Sequence, residues 1–264
     1  MHTLKVIAPV SLFFLLISCQ SDETKLEVTQ CKKHYQAESY SVAARICKKS
    51  AESGDINSQW LLANLHLNKL IEAATDEDAV HWLTKAANNA HTAAQRELGL
   101  CYWRGRGVEQ DGKQALKWFR LAARQNDEES EFYIGAIYLN GVGDTPDPAS
   151  ALTWFKRAAA KGHKMAINNI AWIYATSSNP SLRNGERAIK LVKPLVDDQP
   201  ERAIFVDTLA AAYAENQQYD MAVEQQKEAI QLLSDKVDQS TLDEFNQRLA
   251  SYEANQPWRE TKSK

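Results

Sequence analysis

The sequence predicts an all-α fold, an α/α superhelical solenoid of stacked helical hairpins, from three observations. Trp82, Trp118 and Trp154 recur 36 residues apart, each opening W-x-x-x-A-A. A second ladder, Leu62, Leu98, Ile134 and Ile170, keeps the same spacing. Each period also holds two amphipathic helical patterns: in one, Leu98 and Tyr102 share a stripe; in the next, Ala115, Trp118, Phe119 and Ala122 do. A fixed period of this size denotes supersecondary units that bury their apolar faces only by stacking on neighbours.

The elements follow in chain order. Residues 1–18 place Lys5 ahead of an apolar run from Val6 to Ile17, the layout of a signal peptide and too short for a spanning helix. The run ends in Leu16-Ile17-Ser18-Cys19, which resembles the lipobox of bacterial lipoproteins. That resemblance implies acylation of Cys19, a tether over 19–25, and a lipoprotein of the bacterial cell envelope. Gln20 after the cysteine implies the outer membrane, facing the periplasm. A plain secretory signal with a chance cysteine is the alternative.

Residues 26–56 form a starting hairpin that turns near Ser39, with Ile46 at the tryptophan place. Cys31 and Cys47 are symmetric about that turn. A disulfide, two buried free thiols, and zinc binding through Cys31-x-x-His34 are the open readings; the third lacks a fourth ligand and a second ligand pair. Cys101 is then a buried odd thiol.

Residues 57–163 hold the repeats. Asp111 and Asp147 stand at N-cap positions, with Pro148 at the first helical position, so second helices start there. Gly105, Gly107, Gly141 and Gly143 fall between the two helices of their units, where the chain reverses. The small Ala and Gly positions allow close helix approach, and the tryptophan ladder is expected in the core. The pattern L-G-x-x-Y, G-x-G, D-x-x-x-A-x-x-W-[FY]-x-x-A-A stands nearly intact over 98–123 and 134–159. It resembles the Sel-like repeat family, helical-hairpin relatives of tetratricopeptide repeats. The unit before it departs from the pattern: Lys69 and Ile71 occupy glycine places, and a different loop path is expected there.

Residues 164–238 keep Ile170, Ala171 and Tyr174, insert a polar loop over 176–185, and resume a helix near Ala188. Leu209, Ala210, Tyr213, Tyr219, Ala222 and Ala229 then look like tetratricopeptide positions with a shorter turn. Residues 239–264 are read as a capping helix, about Thr241–Ala254, and a tail.

The function classes narrow by exclusion. The 264-residue chain carries a formal charge of −3; removal of residues 1–18 takes away only Lys5 and leaves −4, a mildly acidic balance that argues against nucleic acid as partner while leaving a local basic patch open. The histidines His2, His34, His66, His81, His91 and His163 form no metal pair, and G-x-S-x-G, S-x-x-K and the phosphate-binding loop motif are absent. The reading is a non-enzymatic protein-interaction scaffold without cofactor or metal, its partner a protein or peptide. In hairpin arrays the first helices line the concave side. Counting from the Leu-Gly pair, the residues expected to meet a partner there are Trp60, Asn64, Arg96, Leu100, Trp103, Phe132, Asn140, Asn168 and Trp172, unless they are spent on packing. The alternatives are a cell-wall (peptidoglycan) binding or remodelling factor and, more remotely, a regulator of an envelope enzyme.

Overall fold

The computed structural model describes residues 25–141, 146–197, 202–233 and 237–260, and their regular structure is helical throughout. Cys19, the segments over 1–18 and 19–24, and Gly143 lie outside the described residues. None of the described helices is long and apolar enough to cross a membrane. The chain divides into two compact units, Met1–Gln125 and Asn126–Lys264.

The first unit holds α1 (25–36), α2 (Tyr40–Glu52), α3 (Ile56–Leu67), α4 (Asp76–Asn88), α5 (Thr92–Arg104) and α6 (Gly112–Ala123). From α2 to α6, each helix packs on the next. A disulfide joins Cys31 of α1 to Cys47 of α2, across the turn near Ser39. Cys101 is free and buried, and its apolar surroundings push its pKa up to about 11, so it is an inert thiol near neutral pH.

The second unit holds α7 (Glu128–Asn140), α8 (Pro148–Ala159), α9 (Lys164–Thr176), α10 (Gly185–Val192), α11 (Arg202–Glu215), α12 (Tyr219–Leu232) and α13 (Gln239–Glu253). Successive helices again pack in order from α7 to α13, and α11 also touches α9. Asp111 and Asp147 cap α6 and α8 as the sequence predicts, each accepting two backbone N–H bonds, with Pro148 at the start of α8.

The core ladder Leu62, Leu98, Ile134 and Ile170 is buried throughout. The tryptophans are less uniform. Trp82 and Trp118 are buried, but Trp154 is half-buried, with Arg157 laid over its ring at 4.6 Å. The deepest aromatics are the residues that follow, Phe119 and Phe155, both fully buried. They rest against Gly99 and Gly135, where an added Cβ would stand 2.8 Å and 2.6 Å from the ring. The glycines of the L-G-x-x-Y pattern therefore make room for a phenyl ring. One period earlier the corresponding residues are Ala63 and Leu83, a slightly larger residue matched to a smaller side chain, both fully buried.

One closure recurs between the two helices of a hairpin. The N-cap amide of the second helix donates to the carbonyl of the tyrosine on the first: Asp111 to Tyr102 at 2.9 Å, Asp147 to Tyr138 at 2.8 Å, and Asn184 to Tyr174 at 2.8 Å. The polar insertion over 176–185 thus lengthens the span from Tyr to N-cap by one residue (184 − 174 against 147 − 138) and keeps the same bond. In the earliest of these hairpins His66 stands at the tyrosine place, and its Nδ1 accepts the Thr75 N–H instead.

The loop at Lys69 opens as the one at Gly105 does and then takes a different path: Ile71, at the place of Gly107, lacks its positive φ, and the Ala74 N–H turns back on the Ile71 carbonyl at 3.2 Å. Lys69 has φ +53°, close to the +68° of Gly105, and the next amide bonds five residues back in both loops, Leu70 to Leu65 and Arg106 to Cys101. A lysine tolerates this left-handed backbone at a modest cost, and its ammonium is anchored 2.9 Å from Asp76. Arg106 reaches the same Asp76 carboxylate at 2.9 Å and also donates to the Leu67 carbonyl. Hydrogen bonds from Arg106 and Lys69 hold the Asp76 carboxyl below the usual range. Gly107 sits where any Cβ would collide with the Asp76 carbonyl, which is why glycine is needed there.

Candidate functional site

The first helix of each hairpin begins at an N-cap that repeats every 36 residues with alternating chemistry: Asp55, His91, Asp127 and His163. Each accepts the backbone N–H three residues on, the histidines through Nδ1. The residue before each cap has positive φ: Gly54, Ala90, Asn126 and Gly162. This pair of positions sets where each first helix starts, and therefore which residues face outward one and two turns later.

His91 can cap only while Nδ1 keeps its lone pair, and burial holds its pKa below the ordinary imidazole value. Because the folded pKa is depressed, the stabilisation is present above the unfolded value of about 6.5 and is lost as pH falls through the folded one. His66 has a depressed pKa for the same leading reason, desolvation. The chain should melt at a lower temperature at pH 5.5 than at 7.5. His91→Asp, the residue found at 55 and 127, should shrink that difference. An equal drop in the variant would remove His91 as a source of it.

The structure places the sequence-predicted partner residues as follows. Trp60 is half-buried and stacked on His91, ring centroids 5.1 Å apart. Asn64 is half-buried and accepts from Asn68 at 3.0 Å. Arg96 lies 3.5 Å from Glu97, and Leu100 is half-buried. Trp103 meets Phe119 edge-on at 6.4 Å. In the second unit, Phe132 stacks on His163 at 4.5 Å and leans on Phe155 at 5.8 Å. Asn140 is exposed at the end of α7, next to Gly141. Asn168 does not face a partner: it is 3% exposed, and its Oδ1 has no hydrogen-bond donor. Sequence counting put Asn168 in phase with Trp60 and Phe132, but close packing at this position closes it over.

Trp172 leads to a constellation that sequence reasoning missed. Its indole Nε1 donates to Glu260 at 3.1 Å. The neighbouring Arg259 reaches Glu215 of α11 at 2.5 Å and the Ala175 carbonyl at 3.3 Å. Beneath them lies a buried ion pair, Arg248 of α13 with Asp207 of α11 at 2.9 Å, both side chains 7% exposed. Gln226 donates to the same Asp207 oxygen at 2.8 Å. The Arg248 guanidinium also faces the rings of Phe245, Trp172 and Trp258 at 4.6, 5.5 and 6.0 Å. Burial pushes the Asp207 carboxyl above the usual range despite Arg248. The legible signal was Trp258 and Arg259 in an otherwise polar tail, after a proline that ends any helix.

Among the described residues, no group of three or more His, Cys, Asp or Glu side chains is arranged to hold a metal ion. The arrangement presents ring faces and charged groups on a helical frame.

The comparisons with known proteins agree with this architecture. A family model described as Sel1 repeat matches residues 57–91, 92–127 and 128–163. The structure resembles a Sel1 repeat protein from Oxalobacter formigenes, with TM-score 0.63, 25% identity, and coverage of 78% of this chain and 86% of that one. It also resembles c5321, a protective antigen present in uropathogenic Escherichia coli strains, which displays an SLR fold. There the TM-score is 0.62 with 25% identity, and the match covers 71% of this chain and 40% of the antigen. No curated protein matches the chain.

Proposed function

We infer, from the three Sel1 repeats that this chain carries and the surface they present, that it is a non-enzymatic protein-interaction scaffold of the bacterial envelope, capturing a peptide or protein on its first-helix faces. One observation carries the reading. Trp60, Trp103, Phe132 and Trp172 are neither core nor solvent: each is half-buried, ordered by a neighbour, with part of its area left open. A ring already ordered loses little entropy when a partner covers it, so such rings serve as anchors.

The envelope location rests on the Cys19 sequence and is supported by the Cys31–Cys47 disulfide, since such bonds persist in oxidising compartments. Acylation at Cys19 would then hold the array at the membrane surface, and Cys19→Ala should release the protein from the membrane fraction. Photo-crosslinking residues at Trp103 and Phe132 should yield a discrete protein adduct in cells, and one at the exposed second-helix residue Lys113 should not. No adduct from either position, with acyl-free chain retained on isolated cell wall, would replace this reading with peptidoglycan binding.

A further inference from the structure

The last helix does not end the described chain. After α13 the backbone turns at Asn255, with φ +55°, and continues through Pro257 as a segment without regular structure. Residues 258–260 return to α9 and α11. The Glu260 N–H donates to the Thr176 carbonyl at 3.0 Å, so the segment is held by its backbone as well as by its side chains. Glu260 accepts from Trp172, Arg259 pairs with Glu215, and Trp258 packs among the apolar residues of the second unit. One main-chain hydrogen bond, an ion pair and an enclosed ring together hold the segment, the same kinds of contact by which protein surfaces capture extended peptides.

Two features mark the segment as an exchangeable occupant. Its charged contacts are partly open to solvent: Arg259 is 33% exposed, Glu215 is 14% exposed, and Glu260 is exposed. Ion pairs that water reaches weaken as salt rises, so the segment is held reversibly. The fit is also incomplete, because the Trp258 indole Nε1 is buried with no acceptor. Beneath the segment, Glu215 remains anchored independently: Arg183 binds it at 3.1 Å and donates to the Ser177 carbonyl at 3.0 Å. The receiving surface therefore keeps its acid in place when the segment leaves.

We propose that the face built from Trp172, Thr176, Glu215 and Arg248 is a recognition site for a non-helical protein segment with the order aromatic, arginine, acid, and that residues 258–260 fill it until such a segment displaces them. The proposal rests on the scaffold reading and makes it specific. Glu215 selects the arginine, the Trp172 indole N–H selects the acid, and the rim over Arg248 selects the aromatic ring. The tethered segment competes at high effective concentration, so the site answers only to a partner that binds better or is itself multivalent.

The test uses the whole chain carrying Trp258→Ala and Arg259→Ala, and a fluorescent synthetic peptide of residues 254–264 as probe, followed by polarisation. The double variant should bind the peptide with micromolar affinity, and the unchanged chain at least tenfold more weakly. Adding Glu215→Gln should cost the double variant at least tenfold. Arg259→Ala alone, which leaves Trp258 packed, should give an intermediate affinity and guards against loss of fold. Equal binding by the variant and the unchanged chain, or no binding by a variant that still melts cooperatively, overturns the proposal. Either result, with adducts still forming at Trp103, would leave the scaffold reading standing.

Discussion

Phe119→Ala is expected to remove about 3–5 kcal/mol of stability, and Gly99→Ala about 1–3 kcal/mol, measured by urea denaturation with far-ultraviolet circular dichroism. The first loss follows from emptying a fully buried site. The second runs against helix propensity, which favours Ala over Gly by about 1 kcal/mol in a helix interior. Its sign is set by packing: a Cβ at Gly99 stands 2.8 Å from two carbons of the Phe119 ring, closer than side chains come without movement. The ring is enclosed and has little room to yield. Combining Gly99→Ala with Phe119→Leu should recover most of what Gly99→Ala loses, since Ala63 with Leu83 holds the same two places one period earlier. A Gly99→Ala variant as stable as the unchanged chain, or a double variant no better than the single one, would show that the pair does not act as a unit.

Arg248→Ala should cost about 3–5 kcal/mol near neutral pH, because it leaves the Asp207 carboxylate buried with Gln226 as its remaining partner. The pH dependence identifies the cause. Burial raises the Asp207 pKa even beside Arg248, and loss of the guanidinium raises it further. The charged carboxylate is then the unfavourable form in the fold, so the penalty is present above the folded pKa and is relieved as pH falls through it. The deficit of the variant should therefore be smaller at pH 5 than at 7.5. Replacing both partners, Asp207→Leu with Arg248→Met, should recover much of the loss, as an apolar pair requires no desolvation of charge. A pH-independent deficit would point to lost ring contacts with Phe245 and Trp172 rather than to an orphaned charge.

Much of the candidate site was out of reach of sequence reasoning for an identifiable reason. Helical spacing located Trp60, Phe132 and Trp172 on first helices, because phase along a helix follows from counting. It could not tell that Trp60 and Phe132 stack on histidine caps, or that Asn168 is closed over, since those contacts depend on the neighbouring helix. Nor could it see that the N-cap register repeats as Asp, His, Asp, His, preceded by Gly, Ala, Asn, Gly at positive φ. Different residues perform one backbone task there, and a search for identical letters passes over them.

The sequence by itself determined the period, the helices and their caps at Asp111 and Asp147, and the buried ladder from Leu62 to Ile170. All of these are local, set by helical phase, capping chemistry and the apolar pattern within one repeat. Tertiary structure decided the rest. Phe119 fills the space left by Gly99, Lys69 takes a glycine's backbone beside Asp76, and Glu260 meets Trp172 across 88 residues of chain. These pairings depend on which groups folding brings within hydrogen-bond or van der Waals distance, and no local pattern in the chain encodes that distance.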